Sequence, residues 1–252
     1  MRGWLWFCFL LVALVPCGGA FAADSLDVCH ARSDYDLTLR DDGLLFQRAG
    51  AAPREVRMYD GGLVVDGRAL ALGPADQGRV RAIERGVRAL LPRVRSVASR
   101  GVELAADAVR EQARVSAPAL EGPALDGPLD TAVADLKQRI ATSHSTRDWH
   151  GPAFQQYLAQ RMAGIVPLLA GPLLQRSLAA AVSGDMDSVQ QLRDQAAGMR
   201  ATLEARMRRK LDTLRPRIQA LCPDVRELDR LENGLDARLA DGSRLDLIDI
   251  GR

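Results

Sequence analysis

Aromatic residues make up only 4% of this chain, and lysine occurs only at Lys137 and Lys210. So few aromatics leave little for stacking platforms, which argues against nucleic acid as a partner. The basic side is carried almost entirely by arginine. Beyond residue 22 no apolar run reaches the roughly 20 residues that a membrane span needs, so the processed chain is not expected to be transmembrane. The longest candidate, Phe154 to Val182, holds Arg161, Arg176, Pro167 and Pro172, and reads as a buried, kinked helix. Searches for G-x-S-x-G, S-x-x-K and H-E-x-x-H find nothing. The Asp60-Gly61-Gly62 turn precedes a strand rather than a helix, so it is no phosphate loop. Net charge is close to neutral and by itself points to no polyanion.

The start of the chain is the clearest segment. Arg2 is the only charge before Asp24, and an apolar stretch from Trp4 to Pro16 follows it. Ala20-Phe21-Ala22 then supplies small residues at a cleavage site. Residues 1–22 therefore read as a secretory signal cut between Ala22 and Ala23, with the mature protein in the periplasm. Cys17 after Leu14-Val15-Pro16 offers a lipoprotein alternative, for which Pro16 is a poor preceding residue. Processing leaves thirty-three basic and thirty-two acidic residues, a charge of about +1.

It also leaves two cysteines, Cys29 and Cys222. An even pair in an oxidising compartment points to a disulfide. The alternative, a reactive thiol, has no C-x-x-C motif and no recognisable base partner.

Residues 35–72 alternate and turn. Tyr35, Leu37 and Leu39 share one strand face, Asp41-Asp42-Gly43 turns, and Leu44-Leu45-Phe46 returns. Val56 to Tyr59, Asp60-Gly61-Gly62, Leu63 to Val65, Asp66-Gly67 and Ala69 to Leu72 continue the pattern. Repeated Asp-Gly turns between short β-prone runs predict an antiparallel meander. After Gly73-Pro74, the residues Val80, Ile83, Val87, Leu90, Val94, Val97, Gly101, Leu104 and Ala108 form a heptad seam. Pro92 inside it predicts a kink or a split. Residues 116–129, with three prolines and two glycines, read as a flexible connection, followed by a short helix from Leu129 to Ile140. A second seam runs from Met186 to Leu221, predicting one helix of roughly 50 Å that Pro223 ends. Leu235 to Leu239, Asp241-Gly242 and Leu245 to Ile250 suggest a closing hairpin.

The fold class is thus α+β, mostly α: a small antiparallel β-meander packed on a bundle of long, heptad-patterned helices. The expected division is 1–22 signal, 23–74 meander, 75–222 helical region and 223–252 hairpin or tail. The seams are read as core-facing stripes, with an intermolecular coiled coil as the alternative.

Val28-Cys29-His30, the run from Asp60 to Leu72, Leu91-Pro92, and Leu221-Cys222 ahead of Val225, Leu228 and Glu232 together resemble the YggN-like family of bacterial periplasmic proteins of unknown function. The resemblance spans most of the mature chain. It implies a periplasmic location and pairing of the two cysteines, and it brings no catalytic residues.

Two clusters are candidates for chemistry. Arg79, Arg81, Arg85, Arg88, Arg93, Arg95 and Arg100 face a single acid, Glu84, over the same span. That asymmetry suits an anionic lipid headgroup, a lipopolysaccharide phosphate or an acidic protein; its bland reading is a solvated face. His144, Asp148 and His150 lie near Trp149, but the spacing fits no zinc pattern, so no metal and no cofactor is expected. The function this supports is a non-catalytic interaction or envelope-associated factor. The partner is an unknown envelope protein or anionic envelope component. The alternatives are an anion-binding arginine face and an unrecognised hydrolase.

Overall fold

The computed structural model describes residues 29–116, 123–165, 167, 182 and 185–250. The expected signal, its cleavage site and Cys17 lie outside these residues. So do 117–122 of the expected connection and most of the apolar stretch after Ile165.

The chain is α+β and mostly α, as expected. Strands β1 (Ala31–Arg32), β2 (Asp36–Arg40), β3 (Gly43–Gln47), β4 (Glu55–Tyr59), β5 (Gly62–Val65) and β6 (Arg68–Ala69) precede the helices. Helices α1 (Pro74–Ser116), α2 (Pro123–Thr142), α3 (Gly151–Met162), α4 (Met186–Asp212), α5 (Arg215–Gln219) and α6 (Cys222–Asn233) follow, and β7 (Asp249–Ile250) comes last. Strands β2 to β6 form one antiparallel sheet in sequence order, and β1 pairs with β7 in a second.

The meander forms where its turns predict it. Asp60 and Asp66 sit at φ 44° and 46°, each followed by a glycine at φ 79°. Two successive left-handed residues make the tight hairpin turn that follows the strands' own twist. In this register Leu37 faces Phe46, Leu39 faces Leu44, Leu44 faces Met58, and Val56 faces Val65. These residues therefore share one face. That face is covered by Val80, Ile83, Val87 and Leu90 of α1, by Leu228 and Leu231 of α6, and by Leu235, Leu239, Leu245 and Leu247 beyond it. Val56, Met58 and Val80 are fully enclosed, each such burial contributing about 1.5–3 kcal/mol.

The chain divides into two compact units. Of the described residues, one contains 29–98, 139–154 and 215–250; the other contains 99–116, 123–138, 155–165, 167, 182 and 185–214. The sheet and the core just described belong to the first. The second has a smaller core of Ala106, Ala113, Leu125, Leu129, Ala132 and Ile165. Its helices are tied by ion pairs: Lys137 to Glu103 at 2.5 Å, Arg161 to Asp135 at 2.7 Å, and Lys210 to Glu111 at 2.5 Å.

Four expectations change. Pro92 does not split α1, which is helical throughout; the lost N–H costs one backbone bond while Val80, Ile83, Leu104 and Ala108 anchor the helix on both sides of it. The second helix begins at Pro123, not Leu129. The seam from Met186 to Leu221 is not one helix. It ends at Asp212, where Thr213 and Leu214 turn back onto Lys210 and Leu211 with short-range bonds. Pro216 then takes the first turn of α5, where its missing N–H has no partner to lose. For the same reason Pro223 starts α6 instead of stopping a helix. The tail is no hairpin ladder: Leu239 and Ser243 make a tight turn, and only Asp249–Ile250 is a strand, paired with β1.

Candidate functional site

Cys29 and Cys222 are disulfide-bonded, with Cα atoms 5.3 Å apart across 193 positions. The bond fixes the residues just before β1 to the first turn of α6. It is structural.

The arginine run has been put to use within the fold. Arg79 contacts Asp76 at 2.6 Å and Asp236 at 3.4 Å. Arg81 donates to the Asp60 carbonyl at 3.2 Å. Arg88 pairs with Glu84 and donates to the Arg40 carbonyl at 2.7 Å. Arg93 pairs with Asp224 and donates to the Ala220 carbonyl, Arg95 donates to the Ser143 carbonyl, and Arg100 pairs with Glu103. Arg85 is exposed. Six of the seven guanidinium groups thus face intrachain acceptors, so the run does not present one open cationic surface.

The loop with His144, Asp148 and His150 lies against the edge of β2. The Leu39 amide donates to the His144 carbonyl at 2.7 Å, and Thr38 bridges Ser145. His150 Nε2 is 2.6 Å from Asp36, and Arg147 is 3.3 Å from the same carboxylate; these hydrogen bonds hold Asp36 below the usual carboxylate range against its partial burial. Asp148 instead accepts from Ser143 at 3.1 Å. The two histidines and the two carboxylates therefore serve different bonds. Among the described residues no group of three or more His, Cys, Asp or Glu is placed to hold a metal. The loop seals a sheet edge that would otherwise offer unpaired backbone groups.

The third place was not singled out in the sequence. A cleft of about 340 Å³ opens within the sheet unit. Tyr35, Leu37, Phe46 and Met58 line it from the sheet, Ile83, Val87, Leu90, Leu91 and Val94 from α1, and Val225 and Leu228 from α6. Part of the first heptad seam therefore faces this opening, with Val94 41% exposed. The seam predicted an apolar stripe; it could not show that the stripe lines a cleft.

Glu232, on α6, also lines the cleft and is only 4% exposed. Its carboxylate accepts the backbone N–H of Leu247 and, at 3.1 Å, that of Ile248. Burial pushes its pKa from the ordinary 4.5 up to about 7, with Asp246 and Asp229 adding to the rise. One signal in the sequence could have found it. Leu228, Leu231 and Leu235 place Glu232 on the apolar side of α6, where a carboxylate is out of place.

No curated protein and no solved structure matches the chain. A family model described as "Protein of unknown function (DUF2884)" matches residues 29–248, which runs from Cys29 of the disulfide to Ile248, held by Glu232. The chain belongs to that family.

Proposed function

We propose that this chain is an exported periplasmic protein that acts without catalysis, by binding an apolar ligand in the cleft of the sheet unit. The carrying observation is the cleft itself: about 340 Å³, walled by aliphatic and aromatic side chains from the sheet, α1 and α6. Ligand sites are typically concave and mostly apolar, about 300–1,000 Å³, with a few placed polar groups. Glu232, Thr146, Ser33 and Arg32 are the polar members here.

The disulfide, the early A-x-A sequence and the similarity to YggN-like proteins support the exported, envelope-associated reading. The arginine face is the weaker candidate for an anionic envelope component, because six of its seven members are engaged within the fold.

The test is binding of a neutral apolar dye such as Nile red to the mature protein and to Val94→Trp, which fills the cleft mouth. Dye emission should rise with the wild type and fall away in the variant. Equal emission from both would remove the cleft from the argument. Intact-mass analysis of envelope-derived protein tests export: the expected terminus is Ala23, and a lipid-modified Cys17 would overturn the cleavage site.

A further inference from the structure

We propose that the cleft takes one unbranched hydrocarbon chain of about twelve carbons and leaves the head group in water at the Val94 end. The ligand class is a single-chain lipid, read by its chain. The proposal rests on the apolar-ligand reading above and assigns the ligand's shape.

Helix α1 sets the length. Ile83, Val87, Leu90 and Val94 all line the cleft, and the rise of 1.5 Å per residue from Ile83 to Val94 makes that row roughly 16 Å long. Exposure grades along it. Ile83 is buried, Val87 and Leu90 are half-buried, and Val94 is 41% exposed. The cleft therefore closes at Ile83 and opens at Val94. With bonds near 1.5 Å, an extended alkyl chain advances about 1.3 Å per carbon, so about twelve carbons fill the row.

Volume sets the width. About 340 Å³ spread over roughly 16 Å leaves a mean cross-section of about 20 Å². One extended hydrocarbon chain has that section; two chains side by side, or a puckered ring, do not fit it.

The polar members of the lining place the head outside, because the fold already uses them. Ser33 Oγ accepts the Tyr35 N–H at 3.2 Å. Thr146 Oγ1 accepts the Leu37 N–H at 2.9 Å and donates to Asp36 at 3.2 Å. The two Glu232 oxygens accept the N–H groups of Leu247 and Ile248. Arg32 is exposed. A head group drawn inside would exchange its water for aliphatic walls, which is costly. Left at the mouth it keeps its hydration, so the cleft measures the chain.

The experiment is calorimetric titration of the mature, disulfide-bonded full chain with straight alkanoates of eight to sixteen carbons, each below its micelle concentration. Affinity should rise about fourfold per added methylene up to about twelve carbons, then level off as further carbons stand in water. Val87→Trp fills the cleft partway and should move the break to about eight carbons; a merely weakened fold would lower every affinity and leave the break in place. Should that variant fail to fold, the wild type still decides. Cyclododecanol, with the carbons of dodecanol closed into a ring, should bind about tenfold or more weakly than dodecanol. Dodecanoate, dodecanol and lauroyl-lysophosphatidylcholine should agree within about threefold, whether the chain comes from a free acid or a lysolipid. Affinity that climbs without a break through sixteen carbons, a break unmoved in Val87→Trp, cyclododecanol bound as tightly as dodecanol, or a head preference well beyond threefold overturns the proposal. Failure of every chain to bind, or binding untouched by Val94→Trp, overturns the apolar-ligand reading itself.

Discussion

Asp76 and Glu232 hold opposite ends of one segment. Asp76, in the first turn of α1, accepts the backbone N–H of Asp236 at 3.1 Å and of Ala237 at 3.0 Å. Glu232 accepts those of Leu247 and Ile248. Both carboxylates are buried, yet their environments act in opposite directions. Backbone donors and Arg79 outweigh burial at Asp76 and lower its pKa, while burial dominates at Glu232 and raises it.

For Asp76 the folded state favours the charged form. Its stabilising contribution is full above the ordinary carboxylate pKa and is lost as pH falls through the lowered folded value. Asp76→Ala leaves two buried N–H groups without an acceptor and should cost about 1–3 kcal/mol near neutrality. Urea titrations should show that deficit shrinking as the pH is taken down into the acid range.

Glu232 behaves in the reverse sense. Between 4.5 and about 7 the folded chain holds the proton more tightly than the unfolded one, so this group's contribution falls as pH rises through that window and is lowest above it. The full difference is of order 3 kcal/mol. Relative to Glu232→Gln, the wild type should therefore lose stability by roughly that amount from the bottom of the window to the top. A constant gap between the two proteins would show that the carboxylate stays ionised throughout.

The disulfide closes almost the whole described chain. Its loop of 193 positions corresponds to roughly 5 kcal/mol in the chain-entropy model. Reduction should therefore weaken the sheet unit markedly. Hydrogen exchange should show the first loss of protection at Ala31–Arg32 and Asp249–Ile250, the paired strands next to Cys29. Helix α4 and residues 123–138 of α2 lie in the other unit and should keep their helical signal. Unchanged exchange at β1 and β7 would mean that the bond anchors nothing there.

Gly43 follows the first turn with φ 158°, and a Cβ at this position would run into the backbone carbonyl of Met58 on the neighbouring strand. Backbone cannot move aside as a side-chain tip can. Gly43→Ala should be destabilising by about 2 kcal/mol or more, whereas Gly67→Ala meets no atom and should cost only the strain of its positive φ. Thermal denaturation of the two variants separates the effects.

The meander was legible because its information is local. Asp60-Gly61 and Asp66-Gly67 specify turn geometry within two residues, and alternation does the rest. The mostly helical class was legible for the same reason. The break at Thr213 was not, since apolar spacing of three and four continues straight across it from Leu211 to Leu214 to Ile218. A helix period shows which face is apolar; it does not show whether the backbone stays helical through a turn that keeps the same face inward. Pro223 was misread because a proline after a helix and a proline opening the next one look alike in one dimension. The tail misled through its Asp241-Gly242 turn. The turn exists, but the irregular segments on either side of it are held by side chains of Asp76 and Glu232, which no local pattern announces. The cleft was half visible: Ile83, Val87, Leu90 and Val94 stood out as a stripe, and what stood opposite them came both from the sheet residues Tyr35, Leu37, Phe46 and Met58 and from Val225 and Leu228, far along the chain.

The pairing of β1 with β7 has a consequence for the order of assembly. A ribosome makes about 5–20 residues each second, so Cys29 exists for about 10–40 s before Cys222 is made. Strands β2 to β5 need only their neighbours and can close early. The first strand cannot: its partner is the last strand of the described chain, and the wall of the cleft supplied by α6 arrives almost as late. Throughout that interval the thiol of Cys29 has no native partner, and the apolar face beside it lacks the part of its cover that comes from α6 and the tail. Any oxidant, chaperone or foreign thiol that meets the chain then encounters them first.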